Sequence, residues 1–309
     1  MHGADGIGLW PGGPRNLKPQ GSILNRYAGI CVMVTMLSSG CVMDDLNDIG
    51  RVFETPTPGE AARWALDTHD VNKRREGIVL LSTASFGGAE PYLKLYRMSV
   101  EDDENPLVKA AAIAALARHG SPEDALLIAP WCEQKVTDSV TIRWAAVQGL
   151  QRLHNRDVVP VLIRVARDWS EQAEVRSAAC VAMGQYPEDR VVQALIDVLD
   201  ARELAINSDA AEALSELTGQ DFGFDLVAWQ AWYEETLKQS KSPFAGQRTY
   251  TYPTYSRDKV WWEHIAFWLD EQYEPSLQPI GLRSEDQRRT WDDFDGGATT
   301  DSPGAAGDG

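Results

Sequence analysis

The sequence predicts an all-α fold, a right-handed superhelical solenoid of about five helix-turn-helix repeats with an aromatic-rich C-terminal cap. Three observations indicate it: one helical motif recurs at a nearly fixed interval, its apolar residues share one face, and further helical segments separate the copies. The copies start 35, 34, 33 and 31 residues apart and occupy 73–81, 108–116, 142–150, 175–183 and 206–214. A helix-sized unit at this period is typical of stacked repeats that bury their apolar faces against one another.

Each copy places its first, fifth and ninth residues on one face of a helix. That face is apolar in the four later copies. The fifth residue is always small, and the set is Gly77, Ala112, Ala146, Ala179 and Ala210. A small residue in the middle of the face lets neighbouring helices approach closely, so we expect the five motif helices to stack directly on one another.

Second helices are predicted between the copies, beginning near Glu123, Asp157 and Asp189, with an earlier pair of helices over 57–69 and 90–98. Prolines lie in the first turns of several of these helices, where the missing N–H costs little. Pro130 lies further in, and we expect it to kink or end its helix. The repeat domain is therefore predicted over 57–224.

The motif VRSAACVAM, with IRWAAVQGL and VKAAAIAAL, resembles HEAT repeats of the phycobilisome-lyase type over about 60–225. The resemblance implies that the Val-Arg helix is the second of each pair and lines a concave surface. It also implies that an acidic residue in the preceding turn pairs with the basic residue of the motif. The matching residues are Glu104, Asp138 and Glu171, five positions before Lys109, Arg143 and Arg176. The resemblance is one of repeats and transfers no chemistry.

The segment 225–283 is predicted to cap the array, because a solenoid must cover its last apolar face. Gly219 is expected to end the last copy, and Asp225 to cap a helix with Trp229, Trp232 and Tyr233 on one face. The segment TGQDFG, with the tryptophans that follow at 229 and 232, resembles the ends of HEAT-repeat lipoproteins of Planctomycetes, where a similar segment closes the array. An alternative is an aromatic ligand site around Tyr250, Tyr252, Tyr255 and Trp261. The acidic, Gly-rich residues 284–309 are predicted to be disordered.

The N-terminal residues 1–40 are predicted to be a lipoprotein-type signal peptide. An apolar run over 27–37 follows a basic segment and is shorter than the roughly 20 residues that span a bilayer. It precedes Ser-Ser-Gly and Cys41, which resembles a lipobox, although Leu37 stands four rather than three positions before the cysteine. The resemblance implies cleavage before Cys41 and a diacylglyceryl group on its sulfur. Residues 41–56 would then be a tether, and the protein would lie on the periplasmic face of the inner or outer membrane. The alternatives are an ordinary signal peptide and a buried helix.

Composition and motifs favour a binding protein. The net charge of −17 disfavours contact with nucleic acid. The sequence contains no HExxH, P-loop or GxSxG motif, and its cysteines lack metal-ligand spacing. We therefore predict no catalytic, cofactor-binding or metal-binding residues, and expect Cys132 and Cys180 to be packed thiols. The favoured function is a non-enzymatic scaffold that binds a protein partner, and the alternatives are a structural envelope component without a dedicated ligand and an enzyme.

The partner-binding residues are predicted on the face opposite the apolar one, at the third, seventh and eleventh positions of each copy. In the copy at 142–150 and just beyond it these are Trp144, Gln148 and Arg152, and the preceding copy adds Arg118. Trp and Arg are enriched among the residues that dominate binding energy. The alternative is that Trp144 packs across to the neighbouring helix.

Overall fold

The computed structural model describes residues 56–239, 241–244, 250–256 and 273–283. The predicted signal peptide, Cys41, all but the last residue of the tether, Trp261 and the acidic tail lie outside these ranges. The helices are α1 (Pro58–Ala65), α2 (Val71–Thr83), α3 (Glu90–Asp102), α4 (Pro106–His119), α5 (Asp124–Ile128), α6 (Val140–Arg152), α7 (Val159–Arg167), α8 (Ala173–Met183), α9 (Asp189–Val198), α10 (Leu204–Thr218) and α11 (Leu226–Lys238). Two short strands, β1 (Tyr255–Ser256) and β2 (Tyr273–Glu274), pair in antiparallel fashion.

The helices form two layers. The five motif helices α2, α4, α6, α8 and α10, called here the Val-Arg layer, each contact the next in chain order. Helices α3, α5, α7, α9 and α11 lie on one side of them and form the second layer, and α1 packs on α2. This arrangement confirms the predicted all-α solenoid. No helix within the described ranges is both long enough and apolar enough to cross a bilayer.

The ends of the helices follow local chemistry. Thr57 and Glu60 form a capping box at the start of α1. Gly219 ends α10 with φ 69°, and the Asp225 side chain accepts a hydrogen bond from Ala228 N at the start of α11, as the sequence predicts. Helix α5 stops at Ile128 and continues as a 3-10 turn over Ala129–Cys132, because Pro130 has no N–H to donate to the helix.

The small residue of the motif sets the spacing within the Val-Arg layer. Ala112, Ala146, Ala179 and Ala210 are all fully buried. In the first repeat the position is Gly77, where an added Cβ atom would lie 2.6 Å from Ala61 O and closer still to Ala65 N. Backbone atoms cannot rotate away as a side chain does, so α1 packs on α2 only because this residue has no side chain.

Replacing Gly77 by alanine is therefore expected to destabilise the protein by about 1–3 kcal/mol, the usual cost of overpacking. The measurement is a urea unfolding curve. Gly59→Ala, on the partner helix α1, is the matched control because nothing lies within 4 Å of the added atom. Equal midpoints for the two variants would contradict the close approach of α1 to α2.

The end of the array is covered by α11. Trp229 is fully buried there, Tyr233 is 6% exposed, and Trp232 packs against the same core. The Tyr233 hydroxyl donates to Asp189 Oδ1 at 3.1 Å and accepts from Gln193 Nε2 at 3.3 Å, which ties α11 to α9.

The later described aromatics lie beside the ends of the Val-Arg helices. Tyr250 is buried beside Gly184 at the end of α8, and Tyr255 lies against Arg152 at the end of α6. Further on, Ile280 donates from N to Arg152 O at 2.8 Å and accepts from His154 N at 2.9 Å. Residues 250–256 and 273–283 thus run across the C-terminal ends of the Val-Arg helices. Helical periodicity gives no information about such extended segments, whose position depends on the surface that they meet.

Candidate partner-binding surface

The basic residues of the motif pair forward along the array. Arg143 Nε and Nη2 donate to Glu171 Oε2 at 2.7 Å and Oε1 at 2.9 Å, and both side chains are buried. Arg74 Nε donates to Asp103 Oδ2 at 2.9 Å. The prediction that Asp138 pairs with Arg143 from the preceding turn is wrong, because the guanidinium reaches the turn before the next motif helix, α8. These bonds therefore join neighbouring repeats.

The other two basic residues make backbone and ring contacts. Lys109 Nζ donates to Val100 O at 2.6 Å and lies 3.7 Å from the centre of the Trp131 ring. Arg176 Nε donates to Ala166 O at 3.0 Å, and its guanidinium lies 4.6 Å from the Trp169 ring. The predicted pairs of Lys109 with Glu104 and of Arg176 with Glu171 are wrong, since Lys109 contacts carbonyls and an aromatic ring, and Arg176 Nη1 lies 3.8 Å from Glu203 Oε2, before the next motif helix.

A groove crosses the exposed face of the Val-Arg layer between α2 and α6. It encloses about 310 Å³, and we call it the α2–α4–α6 groove. Its floor and walls are mainly apolar and include Val79, Leu107, Ala110, Ala114, Trp144 and Gln148. The alanines of α4 leave the depression, and the larger side chains of α2 and α6 border it.

All four predicted partner-binding residues border this groove. Trp144 is 43% exposed, so its ring is not packed away against the neighbouring helix. Gln148 is half-buried one turn further along α6. Arg118 and Arg152 lie at the C-terminal ends of α4 and α6, where the groove meets β1 and β2.

The carboxylate of Glu274 joins these two arginines. Arg118 Nε donates to Oε1 and Arg152 Nη2 donates to Oε2, so each guanidinium takes one oxygen. The Arg152 guanidinium also lies 4.5 Å from the Tyr255 ring and 5.5 Å from the Tyr252 ring. Burial raises the pKa of the Glu274 carboxyl, but the bonds and charges of Arg118 and Arg152 outweigh it and hold that pKa below its ordinary value.

Glu274 is the site residue that sequence reasoning missed. It faces Tyr255 in the strand pair, and the Tyr255 hydroxyl donates to Gln151 Oε1. One signal was present in the sequence. Arg118 and Arg152 hold the same position in successive copies, and two stacked cations of this kind require a counter-ion.

The charge on the Val-Arg layer changes sign along the array. A second depression of about 420 Å³ near α10 is bordered by Asp209, Glu212 and Glu216, with Tyr250 and Tyr252 on its other side. Burial raises the pKa of the Asp209 carboxyl, and the hydrogen bond from Ser177 opposes this effect. The face is thus basic near α4 and α6 and acidic at α10.

The two described cysteines are buried and unpaired. Burial raises the pKa of the Cys180 thiol to about 12 and raises that of Cys132 as well, so neither forms a thiolate near neutral pH. Within the described ranges no three His, Cys, Asp or Glu side chains are arranged to hold a metal ion.

The two helical layers and the groove on one of them define a helical repeat protein with an exposed groove. The family model for HEAT repeats matches residues 128–215, which span α6 to α9 and most of α10. The match supports a HEAT-repeat protein, and the phycobilisome-lyase type and the likeness to Planctomycetes proteins stay predictions from the motif. No curated protein matches the sequence significantly.

Proposed function

We propose that the protein is a non-enzymatic scaffold that binds a protein partner on the exposed face of its Val-Arg layer and is held at the bacterial envelope by a lipid on Cys41. The observation that supports it most is the α2–α4–α6 groove with the half-exposed Trp144 on its border. HEAT repeats act generally as interaction surfaces, and the match over 128–215 supports this class of function.

The chemistry of the groove suits a protein ligand. Leu107 is 49% exposed and Trp144 43% exposed, and both border a floor of alanine methyl groups. Large apolar side chains around a floor of small residues can surround an inserted partner side chain and bury much of its apolar surface. Trp and Arg are also the residues most often found at the energetic centre of interfaces.

The test is Trp144→Ala, which should weaken partner binding by about 2 kcal/mol or more, roughly thirtyfold. The measurement is a pull-down from solubilised envelope membranes, followed by titration of the captured protein. Trp169→Ala is the control, because Trp169 is 60% exposed but does not border the groove. Unchanged capture by a folded Trp144→Ala variant, judged by circular dichroism, would refute the proposed binding face.

The lipid anchor has a separate test, since Cys41 lies outside the described residues. The wild-type chain should incorporate labelled palmitate, lose residues 1–40 and partition into detergent. Cys41→Ser should abolish all three effects. A Cys41→Ser chain that is processed and membrane-bound like the wild type would refute the lipid anchor on Cys41.

A further inference from the structure

We propose that Arg118 and Arg152 form a recognition site for a carboxylate on an extended, acidic peptide segment of the partner, and that the chain's own Glu274 occupies this site until the partner displaces it. The inference rests on the proposed function, because it specifies the chemistry of the partner segment that enters the α2–α4–α6 groove.

The bound carboxylate shows which group the site takes. Two guanidinium groups from neighbouring Val-Arg helices converge on one carboxylate, and each binds a different oxygen. Arg118 is held in place by Nη1, which donates to both Ser82 O and Ser82 Oγ at 3.2 Å. Arg152 is held under the rings of Tyr252 and Tyr255. Charge-assisted bonds of this kind favour a carboxylate strongly over a neutral amide.

One donor of the site is unused. Arg152 is 8% exposed, and its Nε has no acceptor among the described residues although it is buried. Glu274 reaches Arg152 through Nη2 alone. A carboxylate aligned with the Nε and Nη2 side of the Arg152 guanidinium would accept hydrogen bonds from both atoms. It would thereby give the buried Nε–H an acceptor, and a buried donor without an acceptor destabilises the protein. Glu274 is therefore an incomplete match for the site.

Glu274 is held in place by the two arginines and by contacts of its own short segment. Its strand β2 pairs with β1, and the same two segments are joined again by a hydrogen bond from Tyr252 N to Leu277 O at 3.0 Å. Ile280 is fixed to the end of α6 by backbone bonds to Arg152 O and His154 N. We expect a competing carboxylate to displace the Glu274 side chain without breaking the separate backbone bonds of Ile280.

The groove continues from the arginine pair. Arg118, Arg152 and Glu274 border one end of it, and Leu107 and Trp144 border the rest. A peptide whose carboxylate replaced that of Glu274 would place its neighbouring side chains over the alanine floor. The acidic depression near α10 lies beyond Tyr252 and Pro253, on the other side of the tail, and would repel such a peptide. The described charges therefore favour an acidic segment over the α4–α6 half of the layer.

The experiment uses the full chain in detergent and a fluorescein-labelled hexapeptide that copies residues 273–278, Tyr-Glu-Pro-Ser-Leu-Gln. A second peptide carries the Glu274→Gln change. Anisotropy measures the binding of each peptide to the wild-type chain and to the Glu274→Gln chain, whose own carboxylate no longer occupies the site. The acidic peptide should bind the Glu274→Gln chain at least tenfold more tightly than the amide peptide does, and at least tenfold more tightly than it binds the wild type.

Three control variants make the result specific. Arg152→Met in the Glu274→Gln background should abolish the preference for the acidic peptide. Arg164→Met and Glu133→Gln remove the members of an ion pair between α7 and the turn before α6, remote from the groove, and should leave the preference unchanged. If Glu274→Gln does not fold, the wild-type chain carries the same comparison, because the preference must persist there at weaker affinity.

Equal binding of the two peptides would overturn the inference, as would binding of phosphatidylglycerol vesicles to the arginine pair without any binding of the acidic peptide. The outcome is separable from that of the proposed function. If Trp144→Ala loses the partner but the chain shows no preference for the acidic peptide, the carboxylate site is refuted and the proposed function stands. A clear preference together with no protein captured on the groove refutes the scaffold function and leaves the site.

Discussion

Replacing Trp229 by alanine is expected to lower the free energy of unfolding by about 3–5 kcal/mol. The indole is fully buried under the last repeat. Its Nε1 donates to Gly223 O at 2.9 Å, and its ring meets the edge of Phe222 at 4.9 Å and of Trp232 at 5.9 Å between centroids. Truncation leaves a large cavity and an unpaired carbonyl under the last described repeat.

The measurement is urea unfolding followed by circular dichroism, with light scattering to detect association through the exposed apolar end. Val227→Ala is the matched control on the same helix, because Val227 is 70% exposed and its truncation should cost less than about 0.5 kcal/mol. A Trp229→Ala variant as stable as Val227→Ala would show that α11 does not close the array.

Breaking the bond between Arg143 and Glu171 is expected to cost a similar amount, about 3–5 kcal/mol for Arg143→Met alone. The carboxylate of Glu171 is 2% exposed, and removal of Arg143 leaves it buried without its main partner. Arg143 Nη1 also donates to Thr137 O at 2.9 Å, so the same change frees the turn before α6. The loss arises from an uncompensated buried charge, since burial penalises an ion far more than a neutral group.

A double-mutant cycle isolates this cause. Arg143→Met with Glu171→Leu should be clearly more stable than the sum of the two single losses predicts, because the double variant buries no charge. Arg167→Met is the control, since its partner Asp197 is 55% exposed and such pairs contribute about 0–1 kcal/mol. Additive effects in the cycle would show that the pair does not link the two repeats.

The part of the candidate site that the sequence predicted correctly is the part that lies on helices. Trp144, Gln148 and Arg152 follow one another at intervals of four residues, which places them on one helix face, and the structure places all three on the border of one groove. The part that was missed is Glu274, which is 122 residues from Arg152 along the chain. An extended segment has no periodicity that relates it to a helix face, so its docking site depends on surface charge and shape.

The direction of the ion pairs illustrates the same limit. Asp138 lies five residues before Arg143 and Glu171 lies 28 residues after it, and spacing along the chain favours the nearer residue. The guanidinium nevertheless binds Glu171 at 2.7 Å. Stacking of α8 on α6 places the turn before α8 beside the start of α6, so these two residues become neighbours only when the repeats are assembled.

The sequence by itself determined the repeat length, the helix faces, and the helix ends at Pro130 and Gly219. It also determined the small fifth residue of each motif copy, which allows close stacking. All of these follow from interactions between residues within a few turns of one another. Only the tertiary structure decided which carboxylate each arginine binds, and that Glu274 lies between Arg118 and Arg152. Those contacts join residues remote in the chain, and they form because buried and half-buried charges must find partners on whichever surface folding brings to them.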